Sequence, residues 1–163
     1  MFTFRKSTED EEKEMYKLGY GGEWIYGAAA REETFALFLG KVITRFGTPE
    51  NLSKDWECMY SIPVTCEDES GSKLVLEVYH GPGGPSISMP CGQAAESMDL
   101  EPYKQAKAEL IEYITGAEPS DYEWESVDED IPVNVKYTVK DGKVKVESEF
   151  PEGMEDFDPE EFM

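Results

Sequence analysis

The residues that could do chemistry are few. His80 is the only histidine, and with Cys91 and Asp99 downstream it suggests a nucleophilic triad, in which the imidazole would take the thiol proton and the carboxylate would orient the ring. The setting opposes that reading, because a reactive thiolate needs a helix N-terminus or a cationic neighbour, and acidic surroundings raise a thiol pKa. A second temptation is the glycine-rich run His80-Gly-Pro-Gly-Gly-Pro-Ser86. A phosphate cradle needs backbone donors and a following lysine; here two prolines remove donors, no lysine follows, and Ile87 and Met89 alternate like a strand, so a strand-to-strand connection is expected. Gly21, Gly22 and Gly27 lack nucleotide-fingerprint spacing. The tract Asp128-Glu-Asp130 leads into Ile131-Pro132 rather than into the ordered run of a calcium loop. Three cysteines, Cys58, Cys66 and Cys91, are an odd number without metal-type spacing, and they read as buried reduced thiols. No catalytic, cofactor-binding or metal-binding residue is assigned, and no cofactor is expected.

Charge is the stronger signal. Thirty-six acids against fifteen lysines and arginines give a net charge of −21, which repels nucleic acid and anionic membrane and favours cationic partners. Residues 1–117 hold 20 acids and 11 bases (11 − 20 gives −9), whereas residues 118–163 hold 16 acids and 4 bases (4 − 16 gives −12). Segments 118–130 and 147–161 contain fifteen acids and no base, with Tyr122, Trp124 and Phe157 placed among them. Carboxylates accelerate encounter with a basic protein and desolvated aromatics slow its departure. The candidate partner-binding residues are therefore Asp121, Tyr122, Glu123, Trp124, Glu125, Asp128, Glu129 and Asp130, followed by Glu155, Asp156, Phe157 and Asp158.

The elements that must position these residues follow from periodicity. Trp56, Cys58, Tyr60, Ile62, Val64 and Cys66 alternate with more polar residues, and Lys73–His80 alternates likewise after the turn Glu67–Ser72, which predicts an antiparallel hairpin. Pro63 cannot donate to a ladder, so the first of these strands is expected at a sheet edge or broken by a bulge near Ile62. Phe35, Phe38, Leu39, Val42, Ile43 and Phe46 have helical spacing over about 30–46, with Gly47 and Pro49 as the stop. Burying that stripe on the Trp56 face of the hairpin is worth on the order of 10 kcal/mol before entropy is subtracted. A second helix begins near Asp99 as N-cap, carries Tyr103, Ala106, Leu110, Ile111 and Ile114, and ends at Gly116. Thr8–Glu11 has capping-box spacing for a short helix over 9–18. Asp121–Glu125 alternates acids with aromatics as a strand. Asp141-Gly142 predicts a two-residue hairpin that pairs Val139 with Val144, Tyr137 with Val146 and Val133 with Phe150, with Lys136 opposite Glu147.

With 163 residues, 39% of them hydrophobic, the chain can bury one core, and hairpin links rather than strand-helix-strand alternation argue an α+β single domain. The expected form is a largely antiparallel sheet with two to three helices packed on one face, residues 1–19 an N-terminal helix or arm and 151–163 an acidic tail. No apolar run long enough for a membrane span and no signal-peptide core is present, so a cytoplasmic protein is expected. Glycine-bracketed Gly22-Glu-Trp-Ile-Tyr26, a helix ending in Arg45-Phe-Gly-Thr-Pro49, Val78-Tyr-His-Gly-Pro-Gly-Gly-Pro-Ser-Ile87 and Pro119-Ser-Asp-Tyr122 together resemble the immunity proteins of bacterial polymorphic-toxin and contact-dependent growth inhibition systems. The resemblance implies a non-enzymatic inhibitor of a cognate toxin domain, often a basic nuclease, and carries over no catalytic residue. Two alternatives stand beside it: a nucleic-acid mimic that inhibits a defence nuclease, and a small enzyme built on Cys91 and His80.

Overall fold

The computed structural model describes residues 1–22, 24–26, 32–49, 60–81, 84–127 and 134–149. The strand read from Trp56 is observed as β3, Tyr60–Glu67, and it pairs antiparallel with β4, Lys73–Gly81, in the register Tyr60↔His80 through Glu67↔Lys73. Trp56, Cys58, the Pro82-Gly83 tip, Asp128–Asp130, the Val133–Phe150 pair and the tail 151–163 lie outside the described residues. Between β3 and β4 the Asp68 carboxylate accepts from the amides of Ser70 (2.9 Å) and Ser72 (3.0 Å), reinforcing a turn that the backbone closes with Asp68 N donating to Ser72 O at 3.0 Å.

Sheet one has the order β1-β3-β4-β5-β2, with β1 at Thr3–Lys6, β2 at Tyr20–Gly21 and β5 at Gly84–Pro90. The expectation for Pro63 is corrected here, since β3 is an inner strand and its register with β4 runs without a bulge. In an antiparallel pair a residue's N–H and C=O address the same neighbour. The Pro63 carbonyl accepts from Ser7 N at 3.0 Å, so the missing N–H would have pointed past the last paired residue of β1, Lys6, and the β3–β4 ladder loses nothing.

Helix α2, Glu32–Phe46, and helix α3, Glu101–Thr115, cover one face of this sheet. Phe38, Leu39 and Val42 of α2 and Ala106, Leu110 and Ile114 of α3 form one core with Tyr60, Ile62, Val64, Cys66, Leu76, Val78 and Ile87. Helix α2 also satisfies the C-terminal end of α3. Arg45 Nε donates to Tyr113 O (2.8 Å) and Lys41 Nζ to Thr115 O (3.0 Å), placing cations on the orphan carbonyls at the C-terminus of α3. The N-cap of α3 is Leu100 rather than Asp99, whose Oδ1 still accepts from Glu101 N at 3.1 Å. Helix α1, Glu9–Tyr16, has the capping box complete and lies on the opposite face, with Ser7 Oγ 2.8 Å from Thr65 Oγ1 and Met15 buried.

Sheet two comprises β6, Tyr122–Val127, β7, Asn134–Lys140, and β8, Lys143–Glu149. Its hairpin register is the one the turn residues dictate, Val139↔Val144, Tyr137↔Val146 and Lys136↔Glu147. Asp141 and Gly142 take φ of 53° and 76°, the paired positive φ values of a turn that matches strand twist. Helix α2 contacts both sheets and so lies between them. The segment leading into β6 crosses α2 at Gly40, where Ser120 N donates to Gly40 O (2.9 Å) and an added Cβ would stand 2.9 Å from the Pro119 ring. A side chain there would push the two apart.

Candidate partner-binding surface

Strand β6 divides the candidate residues by parity. Tyr122 and Trp124 point toward α2: the Tyr122 hydroxyl donates to Ala36 O at 2.7 Å, and Trp124 is 7% exposed and stacks on Tyr137 at 5.4 Å between ring centroids. Asp121 and Glu123 are exposed and Glu125 half-buried. Both aromatic side chains thus serve the fold, and what β6 presents outward is carboxylate. The strand is an edge, hydrogen-bonded to β7 alone among the described residues.

The outer face of sheet two is less acidic than the sequence suggests. Lys136, Lys140, Lys143 and Lys145, all four bases of residues 118–163, share it with Glu123, Glu125 and Glu147. Lys136 reaches Glu123 at 3.7 Å, and Lys145 meets Glu147 at 2.7 Å; that hydrogen bond and charge hold the Glu147 carboxyl below its usual range. The unbalanced acids stand at the end of the sheet. Asp141 N donates to the Asp121 carboxylate at 2.9 Å, which brings Asp121 and Asp141 together; Glu118 precedes Asp121 by three residues in sequence, and among the described residues none of the three has an ion-pair partner. Asp128, Glu129, Asp130, Glu155, Asp156, Phe157 and Asp158 fall outside the described residues.

The triad geometry does not form. His80 pairs with Pro85 at one end of β5, and Cys91 lies six residues further on, past the other end, which at about 3.3 Å per residue is roughly 20 Å away. His80 is 2% exposed, edge-on to Phe35 and Tyr60, with Nδ1 3.4 Å from the Tyr60 hydroxyl. It is a core histidine. Cys66 is buried, as expected, and burial pushes its thiol up to about 12; Cys91 is exposed, which corrects its reading as a core thiol. Iodoacetamide is therefore expected to label Cys91 quickly in the native protein and Cys66 only on denaturation, read by peptide mass spectrometry; rapid native labelling at Cys66 would contradict this core.

Cys91 opens onto a groove of about 710 Å³ whose walls include Met89, Leu100, Lys104, Lys107 and Ile111. Its two lysines make it a poor match for a basic partner. No group of histidine, cysteine and acidic residues able to hold a metal occurs among the described residues, and no described helix is long and apolar enough to cross a membrane. No family model matches this chain, and neither a curated protein nor a solved structure shows significant similarity to it.

Proposed function

We propose that this protein is a non-catalytic inhibitor that binds and neutralises a basic protein partner, a cognate toxin domain such as a nuclease. The observation that carries the reading is the division of β6: its aromatics are used by the fold, while Asp121, Glu123 and Glu125 line an edge strand that follows Glu118 in sequence and adjoins Asp141, neither of which has an ion-pair partner among the described residues. Such a surface acts through long-range attraction, screened over about 8 Å at physiological salt.

Co-purification from the native host supplies the partner. Stopped-flow association of the triple variant Asp121→Asn, Glu123→Gln, Glu125→Gln is then expected to be slower by about tenfold at low salt, with a flatter salt dependence and little change in dissociation. Trp124→Ala is expected to behave differently, lowering stability by about 3 kcal/mol because it empties a packed site, rather than removing a contact with the partner. An association rate indifferent both to salt and to the amide substitutions would overturn the role of β6.

A further inference from the structure

The two edges of sheet two differ. Strand β6 turns acids outward, whereas β8, Lys143-Val-Lys-Val-Glu-Ser-Glu149, sets two lysines against two glutamates and has no net charge. Among the described residues β8 is hydrogen-bonded to β7 alone. Edges are usually blunted by a proline or a bulge; β8 contains no proline, and its register with β7 runs from Lys140↔Lys143 to Asn134↔Glu149 without a break. Val146 is 42% exposed there, with Lys145 and Glu147 exposed on either side of it.

The turn decides which backbone groups of β8 are free. A two-residue turn closes with its flanking residues hydrogen-bonded to each other, here Lys140 and Lys143, and the pattern repeats at every second residue. The N–H and C=O of Lys145 and Glu147 therefore address β7, while those of Val144, Val146 and Ser148 point away from the sheet.

We propose that β8 pairs antiparallel with β8 of a second copy of this chain, about a two-fold axis at Val146. Val146 then faces its symmetry mate, Val144 lies opposite Ser148, Lys145 opposite Glu147 and Lys143 opposite Glu149, and the outward positions exchange about six hydrogen bonds. Moving the axis by one residue either way would set Lys145 against Lys145 or Glu147 against Glu147, and like charges directly opposite are destabilising. Only the axis at Val146 opposes every base of the strand to an acid. Lys145 already meets Glu147 of its own strand at 2.7 Å, so the pairing closes a ring of four alternating charges. The product is one six-stranded sheet with β6 at both ends, which leaves each acidic edge open, and it does not depend on the function proposed above.

The test needs only the full chain. Sedimentation velocity at about 150 mM salt, where repulsion between copies of net charge −21 is screened within about 8 Å, should show a monomer–dimer equilibrium with Kd between about 10 and 100 μM, as a small interface gives. Lys145→Glu and Glu147→Lys should each weaken it by at least about tenfold, and an equimolar mixture of the two variants should restore it, because every facing pair of the mixed dimer is again opposite in charge. Both residues are exposed, so the urea midpoints of the variants should stay near that of the wild type. Amide hydrogen exchange reads the register: protection of Val144 and Val146 should rise with protein concentration, while that of Lys145 and Glu147, which bond to β7, should not. A chain that stays monomeric at about 1 mM, dimers indifferent to both charge reversals, a mixture that restores nothing, or protection that rises only in another element would each overturn the pairing. No toxin enters these experiments, so such a failure leaves the proposed inhibitor function standing, and a salt-indifferent association rate with a partner leaves this pairing standing.

Discussion

Replacing Val139 by lysine is expected to cost at least about 3 kcal/mol of stability, whereas replacing its neighbour Lys140 by valine should change stability by less than about 0.5 kcal/mol. Val139 is 1% exposed and sits in the middle strand of sheet two, opposite Tyr122 on one side and Val144 on the other. The substitution loses an aliphatic side chain worth roughly 2 kcal/mol of burial, and it forces an ammonium either to desolvate against α2 or to drag β7 out of register. Lys140 points the other way, is exposed and lies opposite Lys143, so valine there removes a like-charge neighbour and meets only solvent. Urea unfolding of the two variants measures the difference directly. Equal midpoints at equal slope would mean that the face assignment of sheet two is wrong.

That face assignment was legible from Asp141-Gly142 alone, because a two-residue turn with both φ positive leaves a single register. The paired helical stripes of α2 and α3 were legible for a similar reason, since each repeats over several turns. Strand β1 was not. Thr3–Lys6 offers only Phe2 and Phe4 as an alternating signal, and its place beside β3 depends on Phe4 reaching the Tyr113 ring, 5.2 Å between centroids, a contact 109 positions away in sequence. The division into two sheets was equally hidden, because α2 reads as one amphipathic helix while its second contact face is made of Ala36 and the Gly40 crossing, which carry no hydrophobic stripe. For the candidate site, alternation over Asp121–Glu125 correctly separated acids from aromatics. Composition could not say which side a partner would meet, and it overstated the acidity of sheet two, where Lys136, distant in sequence from Glu123 and Glu125, lies opposite Glu125 and reaches Glu123 across the strands.

The histidine that offered no catalysis should instead govern how the fold responds to acid. Burial pulls the His80 pKa down from the ordinary 6.5 to about 4, because the imidazolium would lose its hydration among Phe35, Tyr60 and the strand backbone. The unfolded chain therefore takes up this proton at a higher pH than the folded one. Stability from this source is fully present above about pH 6.5, falls as the pH drops toward 4, and changes no further below that; the loss amounts to about 2 kcal/mol at pH 5 and about 3 kcal/mol at pH 4. Other groups titrate in the same range with mixed signs. The Arg5 hydrogen bond holds Glu11 down to about 2, so that largely exposed pair weakens only as the pH falls below the ordinary carboxyl value. In the opposite sense, neutralising carboxylates relieves the self-repulsion of a chain with net charge −21. A comparison of wild type with His80→Phe removes these shared terms. Phenylalanine keeps a ring against Phe35 and Tyr60 and leaves the Tyr60 hydroxyl without its 3.4 Å neighbour, a cost that does not vary over this pH range. The stability difference between the two proteins, followed by urea unfolding from pH 7.5 to 4, should move by about 3 kcal/mol in favour of the variant, with most of the movement below pH 6. A difference that stays constant across that range would mean that His80 is hydrated in the folded protein, and that the cluster it forms with Phe35 and Tyr60 is open to water.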